Sequence, residues 1–166
     1  MSLPVADPVR IVFDVHLYVL NLTGADAQRP VVVEVPPGSG NASADCLSII
    51  FDNPGVYALY ASPHIVGNTA RVLRQCGLDE VLVRDYLNAV REIIFDSGGD
   101  VRDPGHVFDL GSPDHEGNHV LALALAVDAD VIVSDDTDLT PMSPWRGCPI
   151  IRPRQFVERF VNARRH

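Results

Sequence analysis

Two short apolar runs that each stop on aspartate constrain this chain more than any other feature. Arg10–Asp14 reads RIVFD, and Val131–Ser134 reads VIVS with Asp135-Asp136 at its end. A short run of β-branched and large apolar residues, without polar alternation, predicts a strand buried on both faces, as in a parallel sheet covered by helices. Ligands of such sheets bind outside the carboxyl ends of the strands. Asp14 and Asp136 therefore fall where a site is expected, although they are far apart in sequence.

The remaining segments fit this scheme. Val56–Ala61 (VYALYA) predicts a second strand, Pro149–Ile151 a last one, and Val107–Leu110 a short edge strand. Helices are predicted over Val15–Leu22, Ala44–Phe51, Ser62-Pro63 to near Gly77, Asp79 to about Phe95, Ser112-Pro113-Asp114 to about Val127, and Pro153–Asn162. Ser62 and Asp79 are cap residues, and Pro63 suits a first helical turn. Strands alternating with helices imply an α/β fold with helices on both faces of a mostly parallel sheet. One stretch breaks the pattern. Asp26–Ser43 (DAQRPVVVEVPPGSGNAS) carries three prolines and two glycines around Val31–Val35. It reads as an extended insertion, with a tail at Pro36–Asn41 and an apolar run able to pair with the edge of another chain.

Composition narrows the function. A chain of 166 residues fits one domain, spanning 1–166, and 46% apolar residues suffice for a core. No apolar run is long enough to span a membrane. Met1–Val9 lacks the features of a signal peptide, so a cytoplasmic protein is expected. Cys46, Cys76 and Cys148 are widely spaced and form no CxxC pair, which suits free thiols in a reducing compartment. The net charge of −9 argues against a protein that coats nucleic acid by counterion release. It is compatible with an acidic metal site beside a local basic rim. Every cation of the Lys/Arg class is Arg, and Arg146, Arg152 and Arg154 are candidates for phosphate contacts.

The acids are the candidate chemistry. Asp14 ends the first strand, Asp114 and Glu116 open an apolar helix, and Asp135, Asp136 and Asp138 follow the VIVS strand. Carboxylates gathered in one cleft repel unless a cation lies among them, and oxygen-only ligands suit Mg²⁺ or Mn²⁺. Asp is equally a residue of caps and turns, so the pattern alone leaves both readings open. His115 and His119 stand four apart on a helix start, a spacing that shares a face; with His64 and His106 they read as surface or capping residues. Trp145, in TPMSPWRG, reads as loop packing or as a platform for a base.

Four segments resemble the PIN (PilT N-terminus) domain family: RIVFDVHLYVLNL, ASPHIVGNTARVLRQ, HEGNHVLALALAVDADVIVSDDTDL and CPIIRPRQFVERF. The resemblance covers nearly the whole chain outside 26–43. It implies a three-layer α/β/α domain and, in the branch related to VapC-type toxins of bacteria, an Mg²⁺- or Mn²⁺-dependent ribonuclease. It also implies RNA as substrate, an antitoxin partner and a homodimer. Asp14, Asp136 and Asp138 match family acids. Asn68 stands where the family has Glu, and Gly117 where it has an acid, with Glu116 and Asp114 nearby as substitutes. Val15-His16 replaces the usual Thr/Ser-Asn, and His16 adds a nitrogen donor beside Asp14. The resemblance thus implies Asp14, Glu116 and Asp136 as catalytic residues, Asp14, Asp114, Glu116, Asp136 and Asp138 as metal ligands, and Asn68 and His16 as supports. The departures at 68 and 117 keep a second reading open, a PIN fold without catalysis that binds RNA or protein. The lack of Lys excludes a receiver domain, and the lack of DxD at the first strand excludes a haloacid dehalogenase-type phosphatase.

Overall fold

The computed structural model describes residues 6–24 and 41–164. Its elements are β1 (Val9–Phe13), α1 (Val15–Thr23), α2 (Ala42–Asp52), β2 (Tyr57–Tyr60), α3 (Pro63–Gln75), α4 (Glu80–Asp96), α5 (His115–Ala126), β3 (Val131–Val133), β4 (Ile150–Ile151) and α6 (Pro153–Arg164). The four strands form one all-parallel sheet in the order β2-β1-β3-β4, within a three-layer α/β/α arrangement. From β1 the chain builds outward to β2, then returns across β1 to lay down β3 and β4 on the other side. The direction of winding reverses between β1 and β3, which makes their carboxyl ends the switch point where doubly wound sheets form their ligand crevice.

The strands are apolar because helices cover them. Ile11, Val12, Ile132, Val133 and Leu59 are fully buried, and each such side chain contributes about 1.5–3 kcal/mol through burial. α5 packs on β1 and α3, while α2 packs on α1, α6 and β2. Phe156 of α6 meets Phe13 and Tyr57 edge-on, with ring centroids 6.3 and 5.6 Å apart. Ser62 accepts a hydrogen bond from the Ile65 amide and Asp79 one from Val81, so both predicted caps form. No described helix is long and apolar enough to cross a membrane.

Two expectations need correction. Val107–Leu110 forms no strand. The Leu110 amide bonds to the Asn118 side chain, and Phe108 lies exposed with no strand beside it. The sheet edge is met instead by an isolated parallel bridge between Ala61 and Val101. There Gly99 passes so close to β2 that a Cβ would lie 1.7 Å from the Leu59 carbonyl oxygen. The second correction is at the end of the presumed insertion: Asn41 caps α2, and Ala42 and Ser43 are already helical. The Val31–Val35 run lies outside the described residues. Trp145 packs partly buried against the core, with the Arg146 guanidinium 4.8 Å from its ring centroid. The three cysteines are free.

Candidate metal centre

Asp14 is the residue at which β1 becomes α1. Its amide continues the sheet by donating to the Val133 carbonyl at 3.0 Å. Its side chain caps α1, Oδ1 accepting from the Val15 amide at 2.7 Å. Oδ2 accepts from the hydroxyl of Ser134 at 2.7 Å. Asp14 is only 7% exposed, and burial is the main cause that pushes its carboxyl above the ordinary range. The bonds from Ser134 and Val15 and the charge of nearby His16 oppose this, while the Asp136 charge adds to it.

Ser134, fully buried, is the residue that sequence reasoning missed. Its amide extends the pairing with β4, donating to Ile151 at 2.9 Å. Its hydroxyl donates to Asp14 and accepts from the Asp136 amide at 3.0 Å. One side chain therefore joins the two strand-end acids. The signal was available as a hydroxyl residue two positions before Asp136 at the end of a buried strand.

Beyond β3 the chain turns on its own aspartates. Asp136 Oδ1 accepts from the Asp138 amide at 2.8 Å, and the Asp136 carbonyl accepts from Leu139 and Thr140. Leu139 is fully buried and anchors this turn. Across from it, Asp114 caps α5, accepting from the Glu116 amide at 3.2 Å. One carboxylate oxygen from each of Asp114, Asp136 and Asp138 lies within 4.8 Å of the others. None of the ion pairs among the described residues involves these three. Three like charges at this spacing, with no ion pair to Arg among the described residues, could hold a cation among them. An all-carboxylate donor set fits a hard divalent ion of the Mg²⁺ or Mn²⁺ kind.

Glu116 faces another way. Its Oε2 meets His64 Nε2 at 2.7 Å and accepts from Asn68 Nδ2 at 3.0 Å, so it leans on α3 rather than joining the three aspartates. Asn68 in turn accepts from Arg71 at 2.9 Å. His16 is exposed beside Asp14, and Asp135 is exposed and pairs with Arg152. Gly117 is buried, and a Cβ there would lie 2.2 Å from Ser112 Oγ. No acid fits at that position; the carboxylate that reaches the centre from α5 is that of Asp114, at its cap.

A parallel sheet with acids gathered at its switch point defines an α/β/α domain with a carboxylate-lined site at its strand ends. The model of the family described as PIN domain matches residues 31–138, well over half of the chain, and the chain belongs to that family. The match includes Asn68, Asp114, Glu116, Asp136 and Asp138. Asp14 precedes it and stands outside the group of three; Ser134 links it to that group by donating to Asp14 and accepting from the Asp136 amide. No curated protein matches the chain.

Proposed function

We propose that this protein is a metal-dependent endoribonuclease. The observation that carries the reading is the convergence of Asp114, Asp136 and Asp138 within 4.8 Å at the carboxyl end of the sheet. These three, with Asp14, would hold the cation. When bound, a hard divalent ion polarises a phosphoryl oxygen and lowers the pKa of water.

The chain's own residues supply the positioning. Asp14 is fixed by two hydrogen bonds, and Ser134 ties it to the backbone of Asp136. Glu116 carries no hydrogen bond on Oε1 among the described residues, and we assign that oxygen to the substrate side. Asn68 holds Glu116 in place with a neutral amide, so the substitution from the family Glu avoids facing two carboxylates. His16 follows Asp14 in the first turn of α1 and is assigned a supporting place beside it. The biological setting proposed is the toxin of a toxin–antitoxin pair, acting on RNA, with an antitoxin partner and a homodimer. The support for this setting is the resemblance of the four segments to that branch of the family.

The test is calorimetric titration with Mn²⁺ and Mg²⁺ beside an Asp14→Asn/Asp136→Asn variant, followed by cleavage of single-stranded RNA on the same samples. Binding and cleavage that both disappear in the variant support the nuclease. A folded wild type that binds neither ion overturns it and leaves the RNA- or protein-binding reading.

A further inference from the structure

The ring contacts of the described residues fall into two sets. Phe13, Tyr18, Tyr57, Phe156 and Phe160 meet in and against the core. His64, His106, Phe108, His115 and His119 gather instead around the start of α5, the helix that Asp114 caps, and none of them is buried. His64 stacks on His119 with centroids 3.5 Å apart and planes within 8°. His106 stands edge-on to Phe108, with centroids 4.7 Å apart. The loop that carries Phe108 begins and ends at the carboxyl end of the sheet. The Arg102 amide donates to the Ala61 carbonyl at 2.8 Å, and the Leu110 and Ser112 amides both donate to Asn118 Oδ1 at 3.1 Å. His64 is tied to the same place by its 2.7 Å contact with Glu116.

We propose that Phe108 and His64 are stacking platforms for bases of a single-stranded RNA whose phosphate is drawn to the aspartates. The identity of the strand rests on the nuclease reading; the platforms rest on charge and exposure. A chain of net charge −9 gains little from counterion release, so its hold on a strand needs uncharged contacts. Stacking is such a contact, and it tolerates any sequence because every base has a π-face. Both rings have open area for it. Phe108 is 66% exposed, the most of any large apolar side chain among the described residues. The His64 side chain is 37% exposed although His119 covers one face, so its open area lies on the other face and the edge. Its contacts with His119 and Glu116 hold the ring in one orientation, which lowers the entropy lost when a base settles on it. Trp145 is a poorer platform, since it packs against the core and has the Arg146 guanidinium over its ring.

The experiment measures binding of single-stranded RNA carrying 2-aminopurine, whose emission falls on stacking, with Ca²⁺ in place of Mn²⁺ and intact strands verified on a gel. Phe108→Ala and His64→Ala are each expected to weaken binding roughly 5–150-fold, the range that one lost base stack gives, and to restore emission. Phe108→Trp and His64→Phe should bind as wild type does. His64→Phe also lacks the contact with Glu116, so its retained binding separates stacking from that contact. Phe108→Leu, apolar but not aromatic, should bind as weakly as Phe108→Ala. An abasic strand should bind all the proteins alike, and the affinity of wild type should fall only slightly with salt. Neither ring is in the core, and circular dichroism verifies that each variant keeps its helices. Wild-type affinity in both alanine variants, full binding by Phe108→Leu, or no binding by wild type overturns the proposal. Cleavage in Mn²⁺ is scored on the same wild-type protein. RNA that is bound and stacked but never cut overturns the nuclease and leaves the platforms standing; RNA cut equally by both alanine variants, with unchanged affinity, overturns the platforms alone.

Discussion

The hydroxyl of Ser134 lies 2.7 Å from Asp14 Oδ2 and accepts the amide of Asp136, so one buried atom sets the distance between the acids of β1 and β3. Removing it by Ser134→Ala leaves the Asp136 amide without its acceptor and Asp14 with one donor fewer. Such a loss costs about 1–3 kcal/mol for each buried group left unpaired. A residue that orients a metal ligand costs roughly 10–100-fold in affinity or activity when removed. Ser134→Ala is therefore expected to lower Mn²⁺ affinity by that factor while the protein still folds. Calorimetry beside a thermal melt checks it; unchanged affinity would show that Asp14 needs no such brace.

Asp14 itself carries a conflict between stability and function. Burial raises its carboxyl above the ordinary value of 3.8, so folding favours the protonated form. The stability this contributes is present at low pH and is lost as pH rises through the folded pKa. At neutral pH the ionised group destabilises the metal-free protein. Asp14→Asn should thus melt no lower than wild type without metal, and should lose the decline in stability just above the carboxylate range. With Mn²⁺ at 100 times its Kd, wild type should gain about 2.7 kcal/mol and the variant much less. Melts at several pH values, with and without Mn²⁺, measure both effects. A clear fall in the metal-free melting temperature of the variant contradicts the argument.

Much of this was legible in the sequence, because strand ends and helix caps are local features. The apolar runs before Asp14 and Asp136 announce strands, and Ser62 and Asp79 announce caps. What stayed hidden depends on relations between elements. The contact of Ser134 with Asp14 follows from the register that pairs Phe13 with Val133, and no local pattern specifies a register. The direction of Glu116 depends on the rotation of α5 against α3, which brings it to His64 and Asn68. Val107–Leu110 has the composition of a strand but no strand to pair with, and its Leu110 amide is taken by Asn118.

Gly117 shows why an acid cannot be restored where the family pattern has one. A Cβ there would meet Ser112 Oγ at 2.2 Å and Leu139 Cδ2 at 3.1 Å, and both neighbours are buried. Overpacking of this kind costs about 1–3 kcal/mol, more than the roughly 1 kcal/mol that Ala gains over Gly in a helix. Gly117→Ala should lower the melting temperature. Ser112 Oγ has no hydrogen-bond partner among the described residues, so Ser112→Ala alone should be nearly neutral and should rescue part of the loss in the double variant. Denaturant titrations of the four proteins give the coupling. Strict additivity would mean that the two positions do not compete for the same space.

Asn68 is the position at which a lost acid can return. It is half-buried on α3, and its amide donates to Glu116 at 3.0 Å. Asn68→Glu removes that donor and sets two carboxylates face to face. Without metal, repulsion at this partly exposed site should cost at most about 1 kcal/mol, since solvent screens it. A cation between the two carboxylates reverses the sign, because like charges that repel in the free protein become joint ligands. Asn68→Glu is therefore expected to bind Mn²⁺ about tenfold more tightly and to cleave RNA faster, with a slightly lower melting temperature in chelator. Parallel titration of Glu116→Gln separates the causes: it should remove most of the gain in the double variant if both carboxylates face the ion. A gain that survives Glu116→Gln would mean that the carboxylate introduced on α3 reaches the metal by itself, and Glu116, which leans on α3 in the structure, would have no part in it.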